Sequence, residues 1–251
     1  MKVKRVFVFF PIFFSGFLFT GCAGLTHHKD EAALSQVKRV AIVGFTVQEP
    51  APATIGLNLN SGHVHGAAGG SLITQYSTDT DQMYSDLVKK FGRNTSWVVV
   101  SPSKMKQNPG YQKAYDDTMK GFHNRMPPGE GMNVYGVNGV MDNQSCRLLG
   151  ADGRSALMKA LKVDAIVTAQ VDVLLSGTSI MGIGSRYPQS RLTFQVFTPN
   201  KDSADWFEGN LLGKESPTSV GSTAFFDVDT LNRLALASAK TAFDEIGKQT
   251  D

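Results

Sequence analysis

The chain has 251 residues and a formal net charge of +3, with a pI near 8.8. Lys2, Lys4 and Arg5 stand at its very start; setting these three aside from the 25 basic residues leaves 22 Lys plus Arg against 22 Asp plus Glu. The remainder is formally neutral and has no Lys/Arg cluster, which argues against the basic stripe of a nucleic-acid binder, and two cysteines are too few for a disulfide framework.

After the positive start, Val6 to Phe19 is an apolar run of 14 residues interrupted by Pro11, Ser15 and Gly16. A spanning helix needs about 20 apolar residues, so the run reads as an export signal. Seven of the 16 phenylalanines fall within it, so the rest of the chain is not Phe-rich. Phe19-Thr20-Gly21-Cys22 resembles the bacterial lipobox, with Phe19 where that motif prefers Leu. The resemblance implies removal of residues 1–21 and acylation of Cys22, palmitate included. Each buried methylene contributes roughly 0.8 kcal/mol, so two or three acyl chains attach a protein lastingly. Ala23 stands where Asp would be an inner-membrane retention signal, which implies the periplasmic face of the outer membrane. Residues 22–36, including His27, His28, Lys29 and Asp30, are polar and unpatterned and read as a flexible tether. One domain over 37–251 follows.

Val37 to Phe45 (VKRVAIVGF) is a short β-branched run that predicts a strand buried on both faces. Residues 46–78 are rich in Gly, Ala, Ser, Asn and Pro and predict a long loop or an added hairpin. Met83, Leu87, Val88 and Phe91 share one face of a helix from Thr80, its cap, to Phe91, with Gly92 at its end. Trp97 to Val100 is a second strand, so strand, helix and strand form a βαβ unit. Between Ser103 and Phe122 two short helices meet at Pro109-Gly110, with Met105, Tyr111, Tyr115 and Met119 inward. Residues 123–150 read as irregular. Asp152 caps a helix to Lys162 with Ala156, Leu157, Ala160 and Leu161 inward. Val163–Leu175, Arg191–Thr198 and Ser203–Leu212 form an antiparallel meander; in its first strand Val167, Ala169, Val171, Val173 and Leu175 alternate with Thr168, Gln170 and Asp172. A helix from about Thr230 to Lys248, capped by Asp227 or Asp229 and with Leu236, Ala239, Phe243 and Ile246 on one face, closes the chain. The fold class is therefore α/β: a single mixed sheet with an N-terminal βαβ unit, a C-terminal three-strand meander and a C-terminal helix packed on it.

Three segments, VKRVAIVGF, ALKVDAIVTAQVDV and RLTFQVFTPNKDSADWFEGNL, together resemble the periplasmic α/β lipoproteins that include the curli-secretion channel (CsgG-type) and the penicillin-binding-protein activator (LpoB-type). The shared pattern is the core Val40 to Phe45, the pair Val163-Asp164 before an apolar strand, and Trp206 in the last meander strand. The resemblance spans about 37–248. It implies an envelope accessory protein, or a channel subunit if two amphipathic hairpins span the membrane. Each membrane strand needs about 9–11 alternating residues, whereas IGLNLN at 55–60 and stretches of 130–141 alternate over about six; the Gly-rich segment 55–75 reads as hairpin or loop.

No nucleophile elbow, zinc-protease motif, C-x-x-C or phosphate loop is present. His63-Val64-His65 places two imidazoles on one side of a strand, but a zinc site needs further ligands, for which His123 and Asp79 are the candidates; the pair reads as loop histidines. Gly182-Ile183-Gly184 reads as a hairpin tip, Asn94-Thr95-Ser96 as a sequon without function, and Cys146 as a small buried hydrophobe. Asp79, Asp81, Asp227 and Asp229 precede helices, where carboxylates satisfy free amides. The sequence thus predicts a non-enzymatic, lipid-anchored scaffold, assembly or accessory factor for an envelope complex, with no catalytic, cofactor or metal residues and Cys22 as the lipidation site. Its partners are the membrane, other envelope proteins and, in a ring, further copies of itself. The alternatives are the channel subunit and a cell-wall hydrolase using Glu130 and Asp142.

Overall fold

The structure, a computed structural model, describes residues 27–50, 73, 75–121, 132–177, 179–180, 183–221 and 227–248. In chain order the elements are β1 (His27–Lys29), α1 (Glu31–Leu34), β2 (Arg39–Pro50), β3 (Gln75–Tyr76), α2 (Thr78–Thr95), β4 (Val98–Val99), α3 (Pro102–Lys106), α4 (Pro109–Gly121) and β5 (Met132–Gly136). They continue as α5 (Asn143–Leu148), α6 (Gly150–Leu161), β6 (Ala165–Ser176), the short hairpin β7 (Ser179–Ile180) and β8 (Ile183–Gly184), β9 (Tyr187–Phe197), β10 (Trp206–Leu212) and α7 (Val228–Phe243).

The sheet is mixed, in the order β1-β10-β9-β6-β2-β5-β3. β2 lies in the middle, where its apolar run is covered on both faces: Val40, Ala41, Ile42, Val43, Phe45 and Val47 are all buried. It pairs in parallel with β6 along its length; on its other side it pairs in parallel with β4 at Arg39 and Val40, and antiparallel with β5 from Thr46 to Pro50. β2, α2 and β4 are the βαβ unit, and β6, β9 and β10 are the antiparallel meander.

Pleating decides which helix meets which residue. Val167, Ala169, Val171 and Val173 of β6, with Phe194 and Val196 of β9, are buried on the face where α7 packs on β9 and β10 and α2 packs on α7. Each of the valines and the phenylalanine contributes roughly 1.5–3 kcal/mol on full burial. An aromatic knot closes this layer: Phe91 meets Phe194 at 5.5 Å, and Phe194 meets Trp206 at 4.8 Å, both edge to face. The opposite face, which begins with Gly44 and Thr168, takes α3, α5 and α6 over β2 and the first half of β6. Gly44 keeps this approach close, because a Cβ would stand a tight 3.3 Å from both Cys146 Cβ and Thr168 Cγ2.

Several boundaries differ from the sequence reading. β2 runs on to Pro50, so the first residues assigned to the Gly-rich insertion are strand. The insertion's remainder, 51–72 and 74, lies outside the described residues. α2 starts two residues before Thr80, because Ser77 Oγ accepts from Thr80 N at 3.1 Å and is the true cap; it ends at Ser96 with φ 63, not at Gly92. The segment 123–150, expected to be irregular, contains β5 and α5, and its residues 123–131 are outside the described residues. β5 is held by pairing to β2, a long-range cause that its five-residue pattern does not reveal. In α6, Asp152 sits in the first turn and is not the cap, and Arg154, Leu157, Met158 and Leu161 are buried while Ala156 is exposed. The tether expected to reach residue 36 is part of the fold from His27: β1 pairs with β10, and Asp30 caps α1 by accepting from Ala33 N at 3.0 Å. In α7 Asp227, not Asp229, is the cap.

Candidate functional site

At the carboxyl end of β2 the inward register passes from Val47 to Glu49. Register pairs Val47 with Tyr135 and Glu49 with Asn133, so all four side chains share one face of the sheet. Glu49 is 3% exposed, and Asn133, Tyr135 and Asn232 are buried with it. With the Asn232 amide assigned nitrogen-inward, its Nδ2 donates to Glu49 Oε2 at 2.5 Å and Oε1 at 2.6 Å. Burial, and then the charge of Asp79 in the first turn of α2, push the Glu49 carboxyl up to about 8. Burial also raises the Tyr135 phenol, with the charge of Glu49 second. The group sits between the first turns of α2 and α7, at the carboxyl end of β2, where β5 runs antiparallel and β6 parallel to it. Among the described residues, the side chains gathered on Glu49 are those of Asn133, Tyr135 and Asn232. Sequence reasoning missed this site; the signal was a carboxylate on the inward register of an otherwise apolar strand.

A second feature lies on the other face, at the meander edge of the sheet. A cleft of about 770 Å³ has His28, Gln195, Phe197 and Phe207 as its floor. One wall is Gln144, Arg147 and Leu148 of α5; the other is Asp202 to Ala204 between β9 and β10. Register explains the floor, because His28 pairs with Phe207 and Phe207 with Gln195. At its base the Arg154 guanidinium lies over the Phe197 ring, 4.4 Å from the centroid. Its Nη1 donates to Arg147 O at 3.0 Å and its Nη2 to Lys201 O at 2.9 Å and Asp202 O at 3.1 Å. Beyond the cleft no helix among the described residues packs closely on this face of the meander, and Gln170, Asp172, Leu174, Gln189, Arg191 and Thr193 are half-buried along it. Arg191 and Asp172 pair across it at 2.8 Å.

Of the residues singled out in the sequence, Cys22, His63, His65, His123, Glu130 and Gly182 lie outside the described residues. Asp79 is in the first turn of α2. Asp142 is fully buried and caps α5, accepting from Ser145 N at 2.7 Å and Ser145 Oγ at 2.5 Å. A carboxyl closed off in this way does not meet a polymer at the surface. Cys146 is buried and its thiol is pushed up to about 12, first by desolvation. Met132–Gly136, part of the alternating stretch 130–141, is a strand of the domain's own sheet. Among the described residues no three metal-binding side chains converge, and no helix is long and apolar enough to cross a membrane.

No protein-family model matches the chain, and no curated protein matches it. Among solved structures, the hypothetical protein CT253 from Chlamydia trachomatis aligns over 82% of this chain and 98% of its own at 8% identity, with a TM-score of 0.30. A likeness at that level carries no argument about fold or function.

Proposed function

We propose that this protein is a lipid-anchored periplasmic accessory factor that works without catalysis, by holding a protein partner of the envelope close to the outer membrane. The observation that carries this reading is the face of the meander on which, among the described residues, no helix packs closely. Two long strands, β6 and β9, present Gln170, Asp172, Leu174, Gln189, Arg191 and Thr193 on a rigid scaffold. Mixed polar and apolar character on a stiff surface suits recognition of another folded protein. The lipobox-like sequence ending at Cys22 supports the membrane attachment, and the first strand of the domain begins five residues after it.

The test places a photo-crosslinking amino acid at Gln189 or Thr193 on the open face, and at Lys89, on exposed α2, as control. Discrete heavier adducts from the first two positions alone, lost when Cys22→Ser releases the protein from the membrane fraction, are the expected result. The same adduct pattern from Lys89, or none from any position, removes the open face as the working surface.

A further inference from the structure

The cleft opens where the chain enters the domain. His28 belongs both to β1 and to the cleft floor, and six residues separate it from Cys22. At no more than about 3.6 Å per residue, Cys22 stays within about 22 Å of that floor.

The cleft is also positively charged. Arg154 is 3% exposed, and the carbonyls that accept its hydrogen bonds solvate the guanidinium without neutralising it. The carboxylate it meets, Asp202, stands 3.8 Å away and is 90% exposed. Arg147 is exposed at the end of α5 and makes no ion pair among the described residues. Two guanidinium groups thus face one carboxylate. Beside Arg147, Leu148 is 42% exposed, and half-buried Phe207 lies on the floor. A cationic mouth with an apolar rim suits an anionic headgroup and the first methylenes beneath it.

We propose that the cleft docks the domain on the bilayer, with Arg147 at its mouth taking the phosphate of an anionic phospholipid and Leu148 and Phe207 lying against the upper acyl region. The proposal rests on acylation of Cys22, because the tether makes the bilayer the one surface always within reach. It also leaves the working face free: Leu174 pairs with Gln189, and Gln189 is six residues from Gln195 along β9, about 20 Å from the cleft floor.

The test uses acylated protein in nanodiscs of phosphatidylcholine alone and of phosphatidylcholine with phosphatidylglycerol, read by amide hydrogen exchange. With phosphatidylglycerol, exchange slows several-fold in 143–148 and 201–207; in Arg147→Gln that protection falls by about fivefold, as expected for removing one surface cation, and in Arg147→Glu it falls further. Leu148→Asp, also at an exposed position, reduces it as well. Equal exchange in both discs overturns the proposal. Protection that appears equally with both lipids, and only after an envelope extract is added, assigns the cleft to a protein and also overturns it. Mass spectrometry of the same sample separates the two claims: an unmodified Cys22 refutes the anchor. Co-sedimentation of that unacylated chain with phosphatidylglycerol vesicles, lost in Arg147→Glu, would still support the cleft, and failure to co-sediment would refute it.

Discussion

Asp164 and Arg39 hold each other at both ends of the peptide unit: Asp164 N donates to Arg39 O at 2.8 Å, and Arg39 N donates to Asp164 Oδ2 at 2.9 Å. Lys38 N donates to the same carboxylate oxygen, also at 2.9 Å. One side chain thus fixes where β2 and β6 begin relative to each other. Asp164→Ala is expected to lower the unfolding free energy by about 1–2 kcal/mol in urea titrations, and Asp164→Asn by less, because its amide oxygen still accepts.

Glu49 should make the domain less stable as the medium turns alkaline. Its folded carboxyl titrates near 8 against the ordinary 4.5, with burial the larger cause. Below 4.5 both states are protonated and the preference for the neutral form is fully present. Between 4.5 and 8 the folded state binds more protons, so stability falls with rising pH, by at most about 1.4 kcal/mol per unit. Above 8 the effect levels off, with a charged Glu49 facing Asp79 on α2 and, across Tyr135, Asp229 on α7. Urea unfolding at pH 5, 7 and 9 should show this slope, and Glu49→Gln should flatten it. An unchanged slope in that variant would move the pH dependence elsewhere.

Cys146 makes a thiol count a test of the proposed anchor. Its side chain is buried and its pKa is raised to about 12, so the thiolate that reacts is scarce and shielded. A colorimetric thiol reagent should find no reactive group in folded acylated protein and one after guanidinium unfolding. Two groups on unfolding, one of them fast in the folded state, would mean that Cys22 carries no lipid.

The elements that periodicity could see were those whose partners are near in sequence or whose pattern is long. β6 showed its alternation, and Val167, Ala169, Val171 and Val173 are buried as that alternation requires. The break at Pro109 between α3 and α4 is likewise where the sequence put it. β5 and β1 escaped because each is short and becomes strand through a partner far away: β5 through β2, and β1 through β10. Ser77 was passed over as the cap of α2 in favour of Thr80, its own hydrogen-bond partner. The candidate sites were least legible. Glu49 looked like the start of a loop, and its burial follows from pairing with Asn133 and from Asn232 nearly two hundred residues away. The cleft is assembled from five separate stretches, none of which carries a motif.

Because His27–Lys29 is stitched to Trp206–Glu208, the first described strand is locked by a strand made near the chain's other end. Loop closure over that span is slow to be repaid. In a chain emerging head first, β1 therefore waits unpaired until the last meander strand arrives, and truncation before Trp206 would free β1 from the sheet as well as remove a strand.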